Sequence, residues 1–204
     1  MKKKITIMTF IFASLLLGCK KDKIKFVRDI IVNDTLISEG YMKGSLKTGF
    51  WKYYDFNGNL LVVNEYKVIN NKKYSNASID YLNQEIVFDK HGDTIFDKST
   101  FYNCKITSIN KDSLLLEINY EGLSKDTPYI MLVYNDSINA DFSNINKLTL
   151  DTLFFYNNKL HVQLPKNKIL RGIINEIVLL QEGMDIREVY FDYNEDYQDI
   201  SEIR

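Results

Sequence analysis

Two cysteines, two prolines, two histidines and a single tryptophan in 204 residues remove several readings of this chain at once. Two thiols do not make a disulfide scaffold. With so few prolines, nine glycines and many Ile, Tyr, Phe, Asn and Asp, the composition is that of strands joined by polar turns, not of a disordered polymer. His91 and His161 each stand without a second histidine or a cysteine at metal-ligand spacing. There is no Gly-x-Ser-x-Gly elbow, no phosphate-cradling glycine loop and no dinucleotide fingerprint. None of the 27 acidic residues pairs with another in a distinguishing context. The expectation is a protein that is not an enzyme, with no catalytic residue, no metal and no cofactor.

Long apolar runs are also scarce, and the one present is at the amino terminus. Lys2, Lys3 and Lys4 lead into the 13-residue run 5–17, followed by Gly18 and Cys19, which has the layout of a signal peptide. As a helix the run would span roughly 20 Å, short of the roughly 30 Å hydrocarbon core that a transmembrane helix must cross. The tetrad Leu16-Leu17-Gly18-Cys19 resembles the lipobox of bacterial lipoproteins in all four positions. That resemblance implies cleavage before Cys19, acylation of this cysteine, palmitate among its chains, and attachment to the outer membrane of the cell envelope, on its periplasmic face or at the cell surface. Residues 1–18 are then the signal peptide, and 19–25, with Lys20-Lys21-Asp22-Lys23, a charged tether. Without the three leader lysines, 23 basic residues face 27 acidic ones, a net charge near −4 that makes nucleic acid an unsuitable partner.

Through the mature chain, apolar residues recur at every second position and not at helical spacing. Leu114, Leu116, Ile118 and Tyr120 share one face, as do Leu160, Val162 and Leu164, and Val189, Phe191 and Tyr193. Each is the pattern of a half-buried strand. The segment 171–183 is apolar enough to suggest a helix, but its β-branched residues and closing glycine favour a long strand.

Two stretches, 54–60 and 88–94, align on their glycines as aromatic, Asp, two variable residues, Gly and a polar residue. A recurrence of this kind marks a structural unit that buries its face against its neighbour. Residues 40–66, GYMKGSLKTGFWKYYDFNGNLLVVNEY, resemble a MORN-type repeat of the variant known as antitoxin-like, through Gly49, Trp51, Tyr53, Tyr54, Asp55 and Gly58. The second unit lacks the Gly-x-Trp. Asn57-Gly58 supplies the positive φ of a tight hairpin turn, Trp51 and Tyr53 on one face are expected to be covered by neighbouring strands, and Tyr54 on the other is the candidate surface aromatic.

Beyond residue 110 the repeat features stop and strands are expected at 113–120, 129–134, 152–156, 160–163, 172–181 and 187–193, with a further one at 147–150. That spacing predicts an immunoglobulin-like β-sandwich. The expected chain is therefore all-β, with MORN-like stacked β-hairpins over 26–110 and a sandwich over 111–204. Asp192, Asn194 and Asp196 alternate like a calcium loop, but Tyr197 stands where that loop needs glycine and Ile203 where it needs Glu.

Asp followed by Ser or Thr and an aliphatic residue occurs five times and resembles the O-glycosylation acceptor of exported bacteroidete-type proteins, with Thr35, Thr94, Ser113, Ser137 and Thr152 as acceptors. Turn-forming Asp before a strand generates the same triplets in any all-β chain. Together these features point to a lipid-anchored, non-catalytic envelope protein that binds or scaffolds a protein or polysaccharide partner. The repeat resemblance implies an alternative, an antitoxin or immunity-like role.

Overall fold

The computed structural model describes residues 23–31, 36–70, 77–122, 129–166, 168–180 and 183–193. Cys19, Thr35, Asn194, Asp196 and the leader lie outside them. Among the described residues the chain is all-β, with three antiparallel sheets.

The first sheet is a meander of five consecutive strands, β1 (Ile24–Ile31), β2 (Leu36–Lys43), β3 (Leu46–Asp55), β4 (Leu60–Ile69) and β5 (Ile79–Val87). Its best-defined turn joins β3 to β4. The Gly58 N–H donates to the Asp55 carbonyl at 3.0 Å, while an Asp55 carboxylate oxygen accepts the Asn59 N–H at 2.8 Å. The second aligned stretch builds the same turn, with Gly92 donating to the Asp89 carbonyl at 3.0 Å and the Asp89 carboxylate accepting the N–H groups of His91 and Asp93. Gly58 and Gly92 share a φ of 85°. Both Asp side chains are held below the ordinary carboxylate range by these hydrogen bonds. The sequence assigned the positive φ to Asn57 and Gly58 together. Only the glycine adopts it, because an Asp-x-x-Gly loop needs a single left-handed residue where a two-residue hairpin needs two.

The other seven strands form two facing sheets. β6 (Phe101–Ser108), β7 (Ser113–Glu121) and β10 (Lys159–Pro165) lie in the order β10-β7-β6. β8 (Tyr129–Tyr134), β9 (Asp151–Phe154), β11 (Leu170–Leu180) and β12 (Gly183–Tyr193) lie in the order β12-β11-β8-β9. Lettered A to G along the chain, the sheets are A-B-E and G-F-C-D. This is an immunoglobulin-like arrangement in which the fourth strand pairs with the third instead of the fifth. β6 precedes residue 110, yet its hydrogen bonds run along β7 from Phe101↔Glu121 to Ser108↔Leu114.

The sandwich core is filled by the alternating residues read from sequence. Leu116, Ile118 and Tyr120 from β7 and Leu160, Val162 and Leu164 from β10 meet Leu132, Ile174, Val189 and Phe191 from the facing sheet. Each such side chain contributes about 1.5–3 kcal/mol by leaving water. The segment 147–150, expected as a strand, instead begins in the last residue of a 3-10 turn, Ile145–Lys147, and continues without regular structure. Ile145 and Leu148, three residues apart, both pack inward, and three is the repeat of that helix.

The first sheet docks on the outer side of β12 through its last strand. Tyr190 is fully buried although it lies opposite Val189 and Phe191 in strand alternation, because Phe142, Tyr81, Ile69 and Ile173 cover it. Beside it the Asn83 amide engages both main-chain groups of one residue, donating to the Tyr190 carbonyl at 2.9 Å and accepting the Tyr190 N–H at 2.6 Å. The Glu65 carboxylate accepts from Asn83 and Gln84, each at 2.6 Å, and Gln84 accepts the Tyr102 N–H at 2.8 Å.

Candidate binding groove

The Gly-x-Trp of the repeat explains the most open feature of the first sheet. Register breaks between Glu39 and Tyr41, where β3 has extra residues opposite β2. Gly49 absorbs the irregularity with a φ of 66°, a left-handed conformation that costs glycine little. Trp51 then lies flat against Gly40. A Cβ built on Gly40 would stand 2.5 Å from two atoms of the indole. The ring is 2% exposed, and its N–H donates to the Tyr41 carbonyl at 3.0 Å.

On the opposite face, the two glycines leave a strip of bare backbone between larger side chains. An open groove of about 480 Å³ is lined there by Phe26, Glu39, Gly40, Tyr41, Gly49, Phe50 and Lys52. Phe26 and Tyr41 are cross-strand partners with ring centres 5.4 Å apart, edge to face, and are 57% and 50% exposed. These rings are displayed, since the buried aromatics of the core are at most 7% exposed.

The rim is charged with both signs. The Tyr54 hydroxyl donates to Glu39 at 2.9 Å, and Arg28 approaches the other Glu39 oxygen at 3.8 Å. Burial, then the Glu39 hydrogen bond and charge, push the Tyr54 phenol up to about 12, so it stays a donor through the physiological range. Tyr54 is thus a half-buried rim residue that orients Glu39. Phe26, Glu39, Tyr41 and Lys52 were not singled out in sequence; the cue that leads to them is the glycine pair.

A second, polar cleft of about 270 Å³ lies at the junction with β12 and includes Gln84, Glu85, Thr100, Arg187 and Glu188. Burial raises the Glu85 carboxyl, and Arg187 only partly offsets this. The Arg187 guanidinium is already engaged, donating to Thr100 at 3.0 Å and Glu176 at 3.1 Å.

The remaining residues read from sequence are scattered. His91 lies exposed in its turn, and His161 on the outer side of β10 sits 3.0 Å from Glu117. Asn119, and after it His161, hold the Glu117 carboxyl low. Among the glycan candidates, Ser137 and Thr152 are exposed and Thr94 is partly buried, while the Ser113 hydroxyl oxygen is buried. Among the described residues no group of three or more His, Cys, Asp or Glu side chains is arranged to hold a metal, and no helix is long and apolar enough to cross a membrane.

These features define an all-β chain in which a five-stranded meander carries an open aromatic groove and is locked to a seven-stranded sandwich. No protein family, curated protein or solved structure matches the chain.

Proposed function

We propose that this chain is a non-catalytic, lipid-anchored protein of the cell envelope, and that the groove of its first sheet binds a polysaccharide. The observation that carries the reading is the pair of displayed rings, Phe26 and Tyr41, over a glycine floor, with Glu39 and Lys52 beside them. Sugar rings present C–H faces that pack on aromatics and hydroxyls that donate to a carboxylate and accept from an ammonium, and a chain of them needs an open groove in place of a closed pocket. The anchor rests on the Leu16 to Cys19 tetrad, and the resemblance of residues 40–66 to MORN-type repeats agrees with a surface used for binding.

Two experiments test the two halves separately. In cells fed labelled palmitate, the wild-type chain should carry label and sediment with membranes, and Cys19→Ser should lose the label and become soluble; label on the serine variant would remove the anchor. In gel electrophoresis through polysaccharide extracted from the producing cells, the wild type should be retarded and the Phe26→Ala/Tyr41→Ala double variant should run free. Equal mobility of the two proteins in that gel is the result against the groove. The polysaccharide recovered afterwards should be of unchanged length.

A further inference from the structure

The Trp51 indole, on the face opposite the groove, is one wall of a three-ring box. The Lys47 ammonium sits 4.6 Å from the centre of the Trp51 ring, 4.9 Å from that of Tyr66 and 5.4 Å from that of Tyr53. The walls are fixed independently of their occupant. Trp51 is held by its bond to the Tyr41 carbonyl and stands edge to face with Tyr66 at 6.4 Å, and the phenols of Tyr53 and Tyr66 meet at 3.2 Å. Several aromatic faces preorganised around one cation recognise ammonium groups through the negative potential above the rings.

The resident cation is a poor chemical match for this box. A primary ammonium has three N–H donors and a tightly held hydration shell. Lys47 Nζ donates one hydrogen bond, to the Tyr53 hydroxyl at 2.9 Å, and among the described residues no carboxylate lies within ion-pair distance of it. A methylated ammonium has no donors to satisfy, sheds water more easily and presents its charge on methyl groups that pack against rings.

A route in is also present. Lys47 is only partly buried on its flexible stem, and Gly49, between Lys47 and Trp51 in the strand, has no atom within 4 Å of where a Cβ would stand. Asp80, whose carboxylate accepts the Lys47 backbone N–H at 3.1 Å, sets a negative charge nearby.

We propose that the Trp51–Tyr53–Tyr66 box is a binding site for a quaternary ammonium group of the choline type, and that Lys47 is its displaceable internal occupant. The box and the groove lie on opposite faces, so either site stands without the other.

Trp51 is the only tryptophan, so its fluorescence reads the box directly. Choline chloride added to the full chain should change that emission saturably, and sodium chloride at the same ionic strength should not. Lys47→Ser, which removes the competitor and no wall, should lower the half-saturating choline concentration about tenfold. Tyr66→Phe should retain the response and Tyr66→Leu should lose it. A non-saturating response in Lys47→Ser, or a Tyr66→Leu variant that binds as well as Tyr66→Phe, overturns the site. Saturable binding by Lys47→Ser with none by the wild type overturns the displaceable role of Lys47 and with it a site in the native chain. If Tyr66→Leu does not fold, Lys47→Ser against wild type decides alone.

Discussion

Glu176→Ala is expected to destabilise the protein by about 3 kcal/mol, the lower end of what removing one partner from a buried ion pair costs. Glu176 is 1% exposed on β11 and accepts hydrogen bonds from the Tyr120 hydroxyl and from Arg187, each at 3.1 Å. Its carboxylate fills the space beside Gly122, where a Cβ would fall 2.3 Å from one of its oxygens. Burial, and then the Glu176 charge and hydrogen bond, raise the Tyr120 phenol, which therefore remains a donor. Alanine strands the Arg187 cation and the Tyr120 hydroxyl together and opens a cavity. The Arg187 side chain is 34% exposed, so water reaches part of the guanidinium and keeps the loss from being larger.

At roughly 2–4 °C per kcal/mol for a chain of this size, the midpoint of thermal unfolding should fall by about 6–12 °C. Circular dichroism at 218 nm, a wavelength at which strands absorb, reads it. The companion variant Glu176→Met/Arg187→Met removes both charges and keeps the volume, and should recover most of the loss. A midpoint lowered by less than about 2 °C in Glu176→Ala would mean that the carboxylate does not hold this corner.

The second large effect is expected at Gly40. Gly40→Ala places a methyl group 2.5 Å from the Trp51 ring, and that ring can recoil only by giving up its hydrogen bond to the Tyr41 carbonyl and its contact with Tyr66. Overpacking of this kind costs about 1–3 kcal/mol, and the fixed ring puts this case at the upper end. Gly49 is sensitive for a different reason. It has open space around it but a φ of 66°, so Gly49→Asn, which tolerates left-handed backbone, should be far milder than Gly49→Val.

Trp51 emission separates the two mechanisms. Gly40→Ala should shift it to the red as the indole is levered toward water, and Gly49→Asn should leave it in place. Wild-type stability and emission in Gly40→Ala would show that the β2 backbone yields to the methyl group and that the ring stays where it is.

The difference between these glycines indicates how far residues alone carried the reading. Period-two alternation located β7, β10 and β12 because each buries one full face, so the signal lies within the strand itself. The same alternation misassigned Tyr190. The rings that cover it, Tyr81 and Phe142, come from another sheet and from a loop that no local pattern connects to β12. The aligned Asp-x-x-Gly stretches were legible because a left-handed glycine and a capping carboxylate suffice to define that turn.

The groove was only half visible. Gly49 and Trp51 stood out in the repeat, but Gly40 did not, and Phe26 and Tyr41 become a pair only through the β1–β2 register, which two separate strands do not announce. That Lys47 and Tyr66 are neighbours was hidden for the same reason. Tyr66 pairs with Gly49 across β3 and β4, and Lys47 reaches the box along its own strand past that glycine.

The bond pair between Asn83 and Tyr190 has one more consequence. Among the described residues β12 is the outermost strand of its sheet, and such a strand offers main-chain donors and acceptors to any other extended chain. By satisfying both groups of Tyr190, one amide side chain does there what a neighbouring strand would do, at a point where the ring beneath is also sealed. The meander thus acts as a guard for the sandwich, closing at Tyr190 a border along which separate molecules would otherwise zip together.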